Sequence, residues 1–132
     1  MSKVLKFLQD SKVFFLATSD GDQARVRPLG FVMEYEGKIS FCTSNTKSMS
    51  KQLKANPKAE ISAVAGDHQT LRITGKVAFN PSKAAKEKAL EVAPQLKRLY
   101  SADDGIFEIF HFEKGATALF TDMQGGREEI KL

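Results

Sequence analysis

The chain's 132 residues suffice for one domain with a real core, and its 42% apolar content is ordinary for a globular protein. Its 20 Lys and Arg against 16 Asp and Glu leave a scattered formal charge of +4, denser at 47–58 and 83–88. No recognition motif marks a nucleic-acid partner, and no apolar run approaches the ~18–20 residues that span a bilayer. Cys42 is the only cysteine, so no internal disulfide forms, which suits the reducing cytoplasm where we expect the protein. The first ten residues carry charges at 3, 6 and 10 and no small-residue cleavage site, so they do not read as a signal peptide.

Val4, Leu5 and Leu8 recur at helical spacing and predict a short amphipathic helix over 3–10. Residues 13–18, VFFLAT, are an apolar run of strand length. Asp20-Gly21-Asp22 turns the chain into an extended stretch over 25–32, giving a hairpin. Within that stretch Pro28 lacks an N–H, so it marks an edge, a bulge or a ligand-facing gap. A turn at Glu36-Gly37 leads to a strand over 38–43. A helix over 47–55 ends before Pro57, because the residue preceding a proline avoids the α region.

Two further strands, 59–65 and 70–79, flank the turn Gly66-Asp67-His68, and Gly75 is expected to disturb the register of the second. Asn80 at the cap and Pro81 at the first helical position predict a helix from Ser82 to about Val92, stopped or kinked by Pro94. Strands over 106–112 and 116–121 follow, and Gly125-Gly126 opens a polar tail. Strands joined by tight turns pair antiparallel. The expected fold is α+β: one domain over 1–132, a small antiparallel split β-barrel of six to seven strands with short flanking helices.

The candidate site is the loop opening the second helix. Thr43, Ser44, Asn45 and Thr46 are small hydrogen-bonding residues, followed by Lys47 and Ser48. Hydroxyls, free N–H groups at a helix start and a lysine suit a phosphate. Arg25 and Arg27 share one face of the neighbouring strand, where a common anion would relieve their repulsion. On residues alone, 43–48 is equally an ordinary capped helix start. For the arginines the alternative is a solvated pair, and contact of at least one with a ligand is favoured. Cys42 reads as a packed strand residue, His111 as structural and His68 as an exposed turn residue. Their separations make no metal pattern, so no metal is expected.

Three stretches carry a resemblance that covers most of the chain. They are Arg25-Val26-Arg27-Pro28-Leu29-Gly30-Phe31; Phe41-Cys42-Thr43-Ser44 with Lys47-Ser48, Gln52-Leu53 and Asn56-Pro57; and Leu71-Arg72-Ile73-Thr74-Gly75-Lys76-Val77. Together they resemble the FMN-binding split barrels of the pyridoxamine 5′-phosphate oxidase superfamily. Among these, the short stress-type and Nim-type nitroimidazole-resistance flavoproteins are the most similar. The resemblance implies a homodimer with FMN at the subunit interface. The backbone of Arg27, Pro28 and Leu29 would lie along the flavin ring. Cys42, Thr43 and Ser44 would meet the ribityl chain and phosphate. Lys47 and Ser48 would hold the phosphate, with Arg25 or Arg27 as the strand-borne cation. Gln69, Thr70 and Arg72 would face the flavin, from the same or the other subunit.

Where the oxidase carries an adjacent Arg-Lys pair in its phosphate loop, this chain has Ser48-Met49, and residues 125–132 hold nothing like the oxidase's vitamin-binding segment. Vitamin B6 oxidation is therefore not expected. NAD(P)H-dependent reduction of a small electrophile is, with the cofactor carrying the reactivity. The catalytic residues are left open. The alternative is a module that binds or senses flavin, haem or deazaflavin without turnover. A nucleic-acid-binding barrel is suggested only by the net charge.

Overall fold

Alternation builds the sheet in the computed structural model, which describes residues 2–132. After helix α1 (Ser2–Ser11), strand β1 (Phe14–Asp20) buries Phe14, Leu16 and Thr18 and turns Phe15 outward. It pairs antiparallel with β2 (Gln23–Leu29) on one edge and with β5 (Lys58–Ala65) on the other. β3 (Met33–Tyr35) and β4 (Lys38–Ser44) form a hairpin across Glu36 and Gly37, both at positive φ, the geometry of a two-residue primed turn. Helix α2 (Ser48–Ala55) precedes β5.

The long strand β6 (Gln69–Asn80) joins the two halves of the barrel. One of its edges pairs with β5. Its other edge pairs first with β8 (Thr117–Thr121) and then with β7 (Phe107–Phe112). β9 (Arg127–Lys131) extends the sheet beyond β8. The main path runs β2-β1-β5-β6-β7-β4-β3. Helix α3 (Lys83–Val92) and a 3-10 helix (Pro94–Arg98) cross between β6 and β7.

The core has two parts. Inside the barrel, Phe41 packs against Phe14, Phe110 and Phe112 with ring centroids 5.5–5.9 Å apart. Outside it, Ala85, Ala89 and Leu90 of α3 cover Met33, Phe107 and Ile109. β7 is therefore buried on both faces, which explains its nearly continuous apolar sequence.

The structure differs from the sequence reading in four places. The stretch 25–32 is not one strand: β2 stops at Leu29, and residues 30–32 cross to β3. Pro28 sits on β2 at the end of the sheet, so its missing N–H costs no ladder bond. The polar tail forms β9, an edge strand anchored by half-buried Ile130 against the core. The cap of α3 is Ser82, whose hydroxyl accepts from the Ala85 N–H, while Asn80 ends β6.

The fourth difference concerns Gly75. It leaves the register of β6 with β5 unbroken. The irregularity lies on the partner side: from Val77 to Thr74 β6 advances three residues, while from Phe112 to Thr117 its partner advances five. The surplus pair bulges toward β6. A Cβ on Gly75 would stand 2.5 Å from the Ala116 Cβ, so only glycine lets the bulge close.

Candidate functional site

β4 and α2 hold the hydroxyl-rich loop between them. Two bonds pin it to the chain before β7: Asn45 N–H donates to the Ile106 carbonyl, and Asn45 Nδ2 to that of Gly105. Ser44 Oγ and Thr46 Oγ1 bond each other at 2.6 Å. Neither hydroxyl caps the helix. Lys47 occupies the N-cap with extended backbone (φ −91°, ψ 146°) and gives no side-chain cap bond. The first N–H groups of α2 thus keep the positive end of the helix dipole without a capping side chain. Among the described residues, the Lys47 ammonium has no ion-pair partner.

Thr43 stands just before this loop. It is 2% exposed, and its Oγ1 has no hydrogen-bond partner. A buried hydroxyl without a partner is costly, so such an atom in a native fold points to a missing acceptor or donor. Cys42 beside it packs against the outer core. Burial pushes its thiol up to about 12, and the charge of Lys47 offsets only part of that rise. It is a thiol at neutral pH.

These residues border an open cleft of about 620 Å³. One wall is the β2–β3 connection, Pro28 to Val32; the floor includes Cys42, Thr43 and Lys47; the far wall is the end of α3 and the 3-10 helix, through Leu99 and Tyr100. Tyr100 is fixed there by stacking on Phe107, centroids 4.7 Å apart. The fold thus brings Pro28, Leu29, Cys42, Thr43 and Lys47 together around one space. Ser44 lies just behind it, buried, and Ser48 is exposed on the first turn of α2.

The arginines are engaged in the protein's own structure. Arg27 donates to Thr18 Oγ1 at 2.8 Å, to Gln52 Oε1 at 2.7 Å and to the Leu16 carbonyl at 3.3 Å. Thr18 also donates to Gln52 Oε1, so the trio clasps α2 to β1 and β2. Burial, then the nearby Arg25, lowers the Arg27 pKa from its ordinary value. Arg25 pairs with Asp20 at the surface.

Gln69, Thr70 and Arg72 do not line the cleft. Gln69 and Thr70 border a smaller one of about 180 Å³ with Lys3 and Phe120, and Arg72 pairs across the sheet with Ser62 and Leu119, on its outer face. Sequence reasoning missed Lys12, Phe31, Leu96, Leu99 and Tyr100. They are remote in the chain from the loop, and no local pattern sets them apart from ordinary apolar and surface residues.

A family model described as "Pyridoxamine 5'-phosphate oxidase" matches residues 1–115. Among solved structures, a NimC/NimA family protein from Clostridium acetobutylicum is 45% identical, with a TM-score of 0.96 over all of this chain and 92% of that one. A pyridoxamine 5′-phosphate oxidase-related, FMN-binding protein from Nostoc punctiforme is similar in fold: TM-score 0.62, 14% identity, 99% of this chain and 93% of that one. So is a haem-binding protein from Mycobacterium smegmatis: TM-score 0.76, 16% identity, 95% of this chain and 55% of that one. Comparison with curated proteins finds no match.

Proposed function

Since this chain belongs to the pyridoxamine 5′-phosphate oxidase family of FMN-binding split barrels, we propose that it holds FMN in the cleft beside α2 and acts as an NAD(P)H-dependent reductase of a small electrophile. The observation that carries this reading is the start of α2: a cationic helix end without a side-chain cap, opening beside the partnerless Thr43 hydroxyl. Lys47 and the α2 N–H groups would hold the phosphate, and Ser48 flanks it. Thr43 would complete its hydrogen bonding on the cofactor. The backbone of Pro28 and Leu29 would border the ring. When bound, FMN would supply two-electron transfer between a nicotinamide donor and the electrophile. The chain's own part is to bind, orient and exclude water.

A homodimer belongs to this proposal. The outer face of the half-sheet β2-β1-β5 leaves three large apolar side chains in solvent: Phe15 at 47%, Val26 at 68% and Val64 at 57% exposure. The register places Thr70 and Arg72 on that same face. A two-fold partner covering it would present Thr70 and Arg72, with Gln69 at the strand's start, to the other subunit's cleft.

A second reading keeps the cofactor and drops the turnover. Among the described lining residues, the titratable side chains are Lys12, Cys42, Lys47 and Tyr100, and Cys42 is held as a thiol. A lining with no Asp, Glu or His also fits a binding or sensing module. The test is to load the purified protein with FMN, remove the excess and record its visible spectrum, then follow NADH and NADPH oxidation with a nitroaromatic acceptor. Retained flavin with donor oxidation supports the reductase. Retained flavin without it supports the module. No retained flavin overturns both placements of FMN.

A further inference from the structure

We infer that the cleft has a second anion position, at Lys12, and that the co-substrate is a small planar carboxylate. This rests on the flavin reading above, which assigns the cleft's other cation, Lys47, to the cofactor phosphate.

The first observation is backbone geometry. Lys12 follows α1 with φ 65°, in the left-handed region that favours glycine after a helix. Its N–H donates to the Gln9 carbonyl, closing the helix. A lysine there gains from the helix dipole, but it takes up a conformation its Cβ disfavours. This backbone carries a cation at the end of α1.

The second observation is place. The Lys12 carbonyl would stand 3.5 Å from a Cβ at Gly30, so the end of α1 lies against the β2–β3 connection that walls the cleft. Lys12 itself borders the cleft, with Gln9 beside it and Gln95 among the other lining residues. Among the described residues of the lining there are two lysines and no Asp or Glu, and Lys12 has no ion-pair partner. A space bordered by lysines and by no carboxylate raises the local concentration of anions.

The third observation gives the ligand its body. Val92 and Leu99 are among the large apolar side chains most open to solvent, 47% and 70% exposed, and both line the far wall with Tyr100. An apolar wall selects a flat hydrophobic body, and a rim that carries Lys12, Gln9 and Gln95 selects a polar, anionic end. Together they describe an aromatic or conjugated carboxylate.

The probes are benzoate, its neutral isostere benzamide, and inorganic phosphate. Each is titrated by calorimetry into the FMN-loaded protein, with the flavin spectrum recorded alongside. Benzoate is expected to bind about tenfold tighter than benzamide, the scale of one charge-assisted hydrogen bond, and to perturb the flavin spectrum. Phosphate, lacking the apolar body, is expected to bind more weakly than benzoate. Lys12→Gln should abolish the preference for benzoate while the protein keeps its FMN, and Lys12→Arg should retain it. Lys12→Gly guards against a folding artefact: it should melt higher than the parent, through relief of the backbone, yet lose the preference too. Equal binding of benzoate and benzamide, tighter binding of phosphate, or a preference that survives Lys12→Gln overturns the proposal and leaves the flavin reading intact. A protein that holds no FMN but still prefers benzoate through Lys12 sinks the flavin reading and keeps the anion position.

Discussion

Thr43 carries a conflict between stability and function. Its hydroxyl is buried and partnerless, so Thr43→Val, which keeps the shape, should stabilise the apoprotein by ~1 kcal/mol in urea denaturation. The same change should weaken FMN binding about tenfold if the hydroxyl meets the cofactor. Unchanged affinity would remove Thr43 from the site. Cys42 makes a pH prediction. Its folded thiol is raised to about 12 from an ordinary 9.0, so the folded state holds the proton more tightly than the unfolded chain. The stability this gives is complete below pH 9 and declines as pH rises toward 12. Cys42→Ala should flatten the alkaline limb of a stability–pH curve, and alkylation of the native thiol should stay slow at pH 8. Rapid alkylation there would mean an accessible thiolate.

At the scale of elements, the two half-sheets meet where Gly75 faces the bulge of its partner strand. Gly75→Ala would drive a methyl to 2.5 Å from the Ala116 Cβ and 3.0 Å from its Cα. Both are held by backbone, so neither swings aside as the tip of a long side chain could. The expected cost is about 2–3 kcal/mol, the range of core overpacking, read as a lower urea midpoint with unchanged slope. A neutral result would mean that the bulge is soft. Arg27, Thr18 and Gln52 act at the same scale: they bind α2 to the first hairpin and so hold the site's helix end in place.

At the scale of the whole molecule, the outer face of β2-β1-β5 exposes Phe15, Val26 and Val64 beside the polar Ser62, Thr70 and Arg72. Val26→Glu should convert a dimer to a monomer in sedimentation, with the barrel's circular dichroism unchanged. If Thr70 and Arg72 reach the partner's cleft, the monomer should also lose FMN. A wild type that sediments as a monomer while holding flavin would overturn the interface. No helix among the described residues is long and apolar enough to cross a membrane.

Much of the architecture was legible in the chain. The apolar run at 13–18, the alternation in 59–65 and 70–79, the turns at 20–22, 36–37 and 66–68, and the proline after 47–55 are short-range signals. They determined the order of the elements and their antiparallel pairing, because turns and alternation act over a few residues. The loop 43–48 was legible for the same reason: its hydroxyls and its lysine are contiguous. The tertiary structure decided the rest. It placed Arg27 on Thr18 and Gln52, set Ala116 against Gly75, recruited the polar tail as β9, and brought Lys12, Leu99 and Tyr100 to one cleft. Each of these depends on residues far apart in the chain meeting in space, and no local period encodes which distant side chain arrives.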